Sequence, residues 1–346
     1  MENLKFRTLS DAAKRALEPK KQDMQRIVLF YLLIITSLSL VASALTLLLS
    51  DRIAGTGGLR GMGLRSVLST AQTLLPLVQT LVFLGLQMGY HDAALGVSRD
   101  KPVSLDTLWG GFRRFLPLLR VNLLQGMLYG AAGFLCLYLA TYIFLLLPAS
   151  EEFVSVIMPV FESASVLSGE IVLDDATLTA ATAAMKPFVW IFLPLFLILF
   201  IPMFYHYRLA IYRLLDHGQP RAFRALMESR ALMRRSRLTL LKLDLHLWWY
   251  YLAQLLLQLV CYGDVALALV GITLPFSDTA GYYLFLVLSL ALQFVFQYLV
   301  MNRVGMLYAV FYDRLLTQKK QMLEQRRTPP AAAKTHWSNT YENNNP

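Results

Sequence analysis

Cysteine is nearly missing from this chain: two occur in 346 residues, Cys136 and Cys261, each inside or at the edge of an apolar run. That excludes a disulfide framework and a zinc-finger ligand set. Charge is also scarce, at 16% of residues, where soluble domains carry about 25%. The five histidines, His91, His206, His217, His246 and His336, are scattered and show no H-E-x-x-H or His-carboxylate spacing. No G-x-S-x-G, Walker A or dinucleotide fingerprint occurs either. The sequence therefore offers no catalytic residues, no metal ligands and no cofactor site, and it reads as a protein that is not an enzyme.

What is abundant is apolar sequence: 56% hydrophobic residues and a mean hydropathy of +0.50. Runs of about 20 residues at 1.5 Å each match a hydrocarbon core of about 30 Å, so the expected fold is an all-α, polytopic membrane helix bundle. Six crossings are expected, at about 27–49, 66–90, 116–147, 188–207, 239–261 and 282–300. The net charge of +10 does not point to nucleic acid, because the cations cluster at the ends of apolar runs without aromatic interleaving. Sorted by side, 28 of the 32 Lys and Arg fall on one face, which the positive-inside rule assigns to the cytoplasm together with both termini. The expected setting is a cell membrane, crossed several times.

Residues 1–26 form a cytoplasmic segment whose Ser10 is expected to cap a short helix ending near Pro19. No small-residue cleavage site follows it, so the first crossing is expected to act as a signal anchor. The glycine-rich stretch DRIAGTGGLRGMGLR is expected to be a flexible outer turn; it lacks the Lys-Ser/Thr ending of a phosphate loop. Gly85-x-x-x-Gly89 permits close helix contact. After it, Trp109 and Phe112 suit a helix lying at the interface. In the third crossing, Asn122, Gln125 and the small face Gly126, Gly130 and Gly133 are expected to point into the bundle. An acidic outer loop spans 148–186, and its Asp174-Asp175 pair lacks the spaced oxygens of a calcium loop. Pro194 and Pro202 should bend the fourth crossing. The segment 263–276 is too short to cross and reads as an outer interfacial or re-entrant piece. From 312 onward the cytoplasmic tail is expected to be largely disordered.

The inner stretch from Tyr205 to Tyr250 carries nine of the 32 basic residues. Ala222, Ala225, Leu226, Ser229, Leu232 and Met233 recur at helical spacing, which predicts an amphipathic helix from Gln219 to about Arg237. One reading is a topology-setting loop that packs locally. The other is a surface for anionic lipid or a membrane-protein partner, with Arg221, Arg224, Arg234, Arg235 and Arg237 as its contacts.

Within the bilayer, Gln254 and Gln258 repeat at one turn on the fifth crossing, and Gln293 and Gln297 do so on the sixth. They are expected to face each other, either as interhelical glue or as the lining of a polar substrate pathway. Asp244 and Asp264 are the nearest ionisable groups to that apolar core. About twenty residues, hence roughly 30 Å, separate them along one helix, so they cannot share a proton as a protease pair does. Asp244 is expected to pair with Lys242 or an inner-loop arginine, and Asp264 with outer water.

Three blocks, YRLAIYRLLDH, ALMESRALMRRSRLTLLKLDLHLWWYYL and LYAVFYDRLL, resemble the signature blocks of the bacterial membrane-protein family catalogued as domain of unknown function 975. The stretch through WGGFRRFLPLLRVNLLQG is also similar, so the resemblance spans about 65–316. Its most specific part is the S-x-x-L-M-x6-L-x-x-L-D pattern from Ser229 to Asp244. The outer loop 148–186 is longer than that pattern has, and the glycine-rich segment after the fifth crossing is reduced. The resemblance implies an integral membrane architecture and no particular activity.

Overall fold

The computed structural model describes residues 5–54, 58–155, 158, 175–216, 221–234, 236–261 and 279–327. Among these no strand occurs. In chain order the helices are α1 (Phe6–Leu17), α2 (Lys21–Ala54), α3 (Gly58–Ser98), α4 (Leu105–Arg113), α5 (Phe115–Leu145), α6 (Asp175–Tyr207), α7 (Ala210–Asp216), α8 (Ala222–Met233), α9 (Arg237–His246), α10 (Trp248–Cys261) and α11 (Thr279–Arg327). Among the described residues, five stretches contain a window long and apolar enough to cross a membrane: Phe6–Leu45, Thr73–Ser98, Phe115–Leu145, Met185–Asp216 and Val287–Gln325. Large side chains such as Phe134, Trp190 and Ile198 stand exposed on them. That arrangement is costly in water and normal in lipid, so this is a membrane protein.

Several elements differ from the sequence expectation. Ser10 lies inside α1, whose N-cap is Lys5; the helix stops at Leu17 because Glu18–Lys20, with Pro19, makes a 3-10 turn before α2 resumes. The glycine-rich stretch is not one long turn: helix runs to Ala54 and again from Gly58. The fifth expected crossing is broken at Leu247 into α9 and α10, and described α10 is only 14 residues long. The stretch TLTAATAAMK, expected in the outer loop, belongs to α6. Asp174, Asp264, the segment 263–276 and the tail from 328 lie outside the described residues.

The chain divides into two compact units. The first comprises Met1–Leu119, Ile211–Arg221 and Leu238–Pro346; the second comprises Arg120–Ala210 and Ala222–Arg237.

In the first unit, α3 packs against α2, α4 and α11. Gly85, Gly89 and Gly111 make the α3–α4 contact possible. A Cβ on Gly111 would overlap the Gly85 carbonyl, and one on Gly89 the Leu108 carbonyl. Backbone touches backbone there, as the Gly85-x-x-x-Gly89 spacing permits. Gln79 donates to the Leu38 carbonyl (3.3 Å), and Tyr90 to the Met301 carbonyl (2.7 Å).

In the second unit, α5 and α6 pair through aromatics: Phe188, Phe192, Phe196, Phe200 and Phe204 run up one face of α6. Tyr129 packs on Phe200 and Phe204. The last carbonyls of a helix have no internal partner, and in a membrane they must find one. Here Tyr129 donates to Phe204 O, Ser229 to His206 O (3.0 Å) and Gln125 to Tyr207 O (2.8 Å). On the small face of α5 a Cβ on Gly126, Gly130 or Gly133 would meet nothing within 4 Å among the described residues. Gln125, about 100° round the helix from Gly126, is the buried polar group.

Candidate functional site

The amphipathic helix of the basic stretch is α8. Its buried residues are Ala225, Leu226, Ser229, Leu232 and Met233, five of the six that the helical spacing placed on one face. The sixth, Ala222, is half-buried. The helix docks this face on α6, where Ser229 caps the His206 carbonyl. A second stripe remains open. Phe223 is 64% exposed and Met227 45%, and Arg230 and Arg234, both exposed, continue it at i+7 and i+11. Arg224 flanks the stripe and forms an ion pair with Glu228 one turn on (2.9 Å). Two apolar side chains and two guanidinium groups thus share one outward face, the pattern of a helix lying in a headgroup layer.

Of the predicted arginine contacts, Arg221, Arg224 and Arg234 are exposed. Arg237 is half-buried, and its Nε is buried without a hydrogen-bond partner among the described residues. Arg235 lies outside them. Arg230 was not singled out in the sequence, although its i,i+4 spacing to Arg234 was there to be read.

The glutamines sit on α10 and α11, which pack together in the first unit. Gln258 is exposed, whereas Gln254, Gln293 and Gln297 are half-buried. The Gln254 Oε1 is buried and has no hydrogen-bond partner among the described residues. Asp244 is buried at the α9 end and accepts hydrogen bonds from Tyr308 and, at 3.4 Å, from Tyr251; the two hydroxyls are themselves 2.5 Å apart. Tyrosines from α10 and α11 thus hold this carboxylate.

The densest polar cluster was missed by sequence reasoning. At the end of α3, Asp100 takes a positive φ of 60°, so that Lys101 N donates to Gly96 O (2.8 Å) and Asp100 N to Val97 O (3.2 Å). This is a Schellman ending, with aspartate where glycine is usual. Lys20 Nζ pairs with Asp100 (2.7 Å) and donates to Lys101 O (2.9 Å), a cation on the negative end of the helix. The Lys20 bond holds the Asp100 carboxyl below the usual carboxylate range.

The turn aims Arg99 at two carboxylates. Its Nε and NH2 both donate to Asp313 Oδ1, at 2.8 and 2.7 Å, and its NH1 pairs with Asp216. Ser98 bonds the other Asp313 oxygen, and Tyr312 donates to the other Asp216 oxygen at 2.5 Å. Tyr312 is fully buried and stacks on Tyr212, whose hydroxyl lies 3.2 Å from His91 Nδ1. Burial works against the Arg99 charge, but its bonds to Asp216 and Asp313 outweigh that and hold the guanidinium above its ordinary value. Chemically this network is a fastening: each oxygen of the two carboxylates accepts at least one hydrogen bond from a neighbouring helix residue.

All six fixed positions of the Ser229 to Asp244 pattern, Ser229, Leu232, Met233, Leu240, Leu243 and Asp244, are buried. Among the described residues no group of three or more His, Cys, Asp or Glu is placed to hold a metal ion. Compared with family models, curated proteins and solved structures, the chain matches none.

Proposed function

We propose that this chain is a non-enzymatic module of the bacterial plasma membrane that holds anionic lipid, and through it or beside it a partner protein, at its cytoplasmic face. In this reading the chain crosses six times, with both termini inside. The resemblance to domain of unknown function 975 supports the same architecture. The observation that carries the function is the open stripe of α8, where Phe223 and Met227 are followed by Arg230 and Arg234. A basic residue near an anionic surface contributes about 1 kcal/mol. Replacing Arg224, Arg230 and Arg234 by Glu therefore weakens binding by about 3 kcal/mol, more than a hundredfold. The test is competition between fluorescent phosphatidylglycerol and phosphatidylcholine on the purified full-length protein, at low and high salt. Unchanged lipid preference in the triple variant, with topology intact by reporter fusion, ends the proposal.

A second reading, transport through a polar cavity between α10 and α11, is favoured by one observation: the buried Oε1 of Gln254, which has no hydrogen-bond partner among the described residues. Under it, Gln254→Leu with Gln293→Leu abolishes flux while the protein stays folded. Full flux in that double variant excludes it.

A further inference from the structure

In the first unit, α1 lies against α11 and leaves a cavity of about 190 Å³ between them. One wall is a single stripe of α1, Phe6, Ser10, Ala13, Lys14 and Leu17. The other is a single stripe of α11, Val300, Arg303, Val304 and Leu307, with Leu247 and Trp249 closing the end. Phe6 is held in place by stacking on His246, with ring centroids 4.7 Å apart.

Three properties of this cavity bear on its occupant. First, its lining is apolar apart from Ser10, Lys14 and Arg303. Over the apolar part of that lining a water finds none of the two to four polar partners it needs. Second, Lys14 and Arg303 are both exposed, one on each wall, and Arg303 stands where the long apolar run of α11 gives way to charged sequence. Third, the exposed Trp248 and Trp249 sit beside it, and tryptophan collects at the boundary between hydrocarbon and headgroups. The space equals about six water volumes, too small for a whole phospholipid and sufficient for the upper part of one acyl chain.

We infer that this groove is a binding site for one anionic phospholipid, with its phosphate between Lys14 and Arg303 and the first part of one acyl chain between α1 and α11. A lipid seated here ties the N-terminal helix to the last one. The site rests on the membrane placement proposed above but uses none of the α8 arginines, so the two lipid surfaces fail independently.

Native mass spectrometry of the full-length protein, released from detergent after exchange with phosphatidylglycerol or phosphatidylcholine of equal chain length, reads the site directly. Phosphatidylglycerol is expected to be retained in preference. Lys14→Gln with Arg303→Gln, both at exposed positions, lowers that retention about thirtyfold, the loss of two cations at a membrane surface. Ser10→Phe, which fills the groove, lowers retention of both lipids. The Arg224, Arg230 and Arg234 triple variant leaves this lipid in place. Equal retention of phosphatidylcholine, wild-type retention in both groove variants, or displacement of the lipid by millimolar inorganic phosphate would overturn the assignment.

Discussion

Replacing Arg99 by Gln removes a guanidinium that bonds both Asp216 and Asp313. The side chains of Arg99, Asp216 and Asp313 are 27%, 10% and 23% exposed, so the pair energies are partly screened yet the carboxylates cannot simply turn to water. Breaking a buried pair by removing one partner costs about 3–5 kcal/mol. Ser98 and Tyr312 still donate to the stranded carboxylates and water reaches Asp313, which puts the loss at the low end, about 3 kcal/mol. At about 2 °C per kcal/mol for a large domain, the unfolding temperature falls by about 6 °C. Tryptophan fluorescence during heating, with both proteins in the same detergent, measures it. The triple variant Arg99→Leu, Asp216→Asn, Asp313→Asn should recover at least half of the loss, because the two carboxylates that Arg99 bonds lose their charge with it. A raised folded value for Arg99 means its contribution is present below the ordinary guanidinium value and lost only as pH rises through the folded one. The deficit of Arg99→Gln is therefore constant from mildly acid to mildly alkaline pH. A shift under 1 °C for Arg99→Gln, or a triple variant worse than the single, refutes the network as a fastening.

Two further outcomes follow from packing. Gly111→Ala drives a methyl into the Gly85 carbonyl and should cost at least about 2 kcal/mol, while Gly126→Ala, facing open space, should leave the unfolding temperature within 1 °C or raise it; equal effects of the two would contradict the α3–α4 contact. Ser229→Ala leaves the His206 carbonyl without its donor and should cost about 1 kcal/mol, measured by the same melt; Ser229→Thr, which keeps a hydroxyl, should lose less of that bond than it loses to crowding, so only the Ala variant exposes the end of α6 to hydrogen exchange.

How much of this was legible in the sequence depends on distance along the chain. The buried face of α8 could be read because its residues repeat within twelve positions, and the Gly85-x-x-x-Gly89 contact because its spacing is local. The break at Leu247 could not: KLDLHLWWYY is continuously helix-compatible, and what ends α9 is the docking of Leu243, Asp244 and Leu247 into the core. The glycines of α5 misled because small residues permit close contact without requiring it. The Arg99 network was out of reach for a different reason. Asp216 and Asp313 stand 117 and 214 residues from Arg99, and each looked like an ordinary charge at the end of an apolar run. The available signal was that both aspartates fall within the blocks YRLAIYRLLDH and LYAVFYDRLL that carry the family resemblance.

Helix α11 is one unbroken rod of 49 residues, about 74 Å long. Along twelve of those residues, about 18 Å, it is pinned at three heights: Met301 to Tyr90, Tyr308 to Asp244, and Asp313 to Arg99. Three pins on one rigid shaft behave as a key in a lock. Sliding by a single turn would misalign all of them at once, so α11 cannot yield to a pull in small steps. A load on α11 is therefore shared by α3 and α9 at once, and the shaft shifts only when all three contacts give way together.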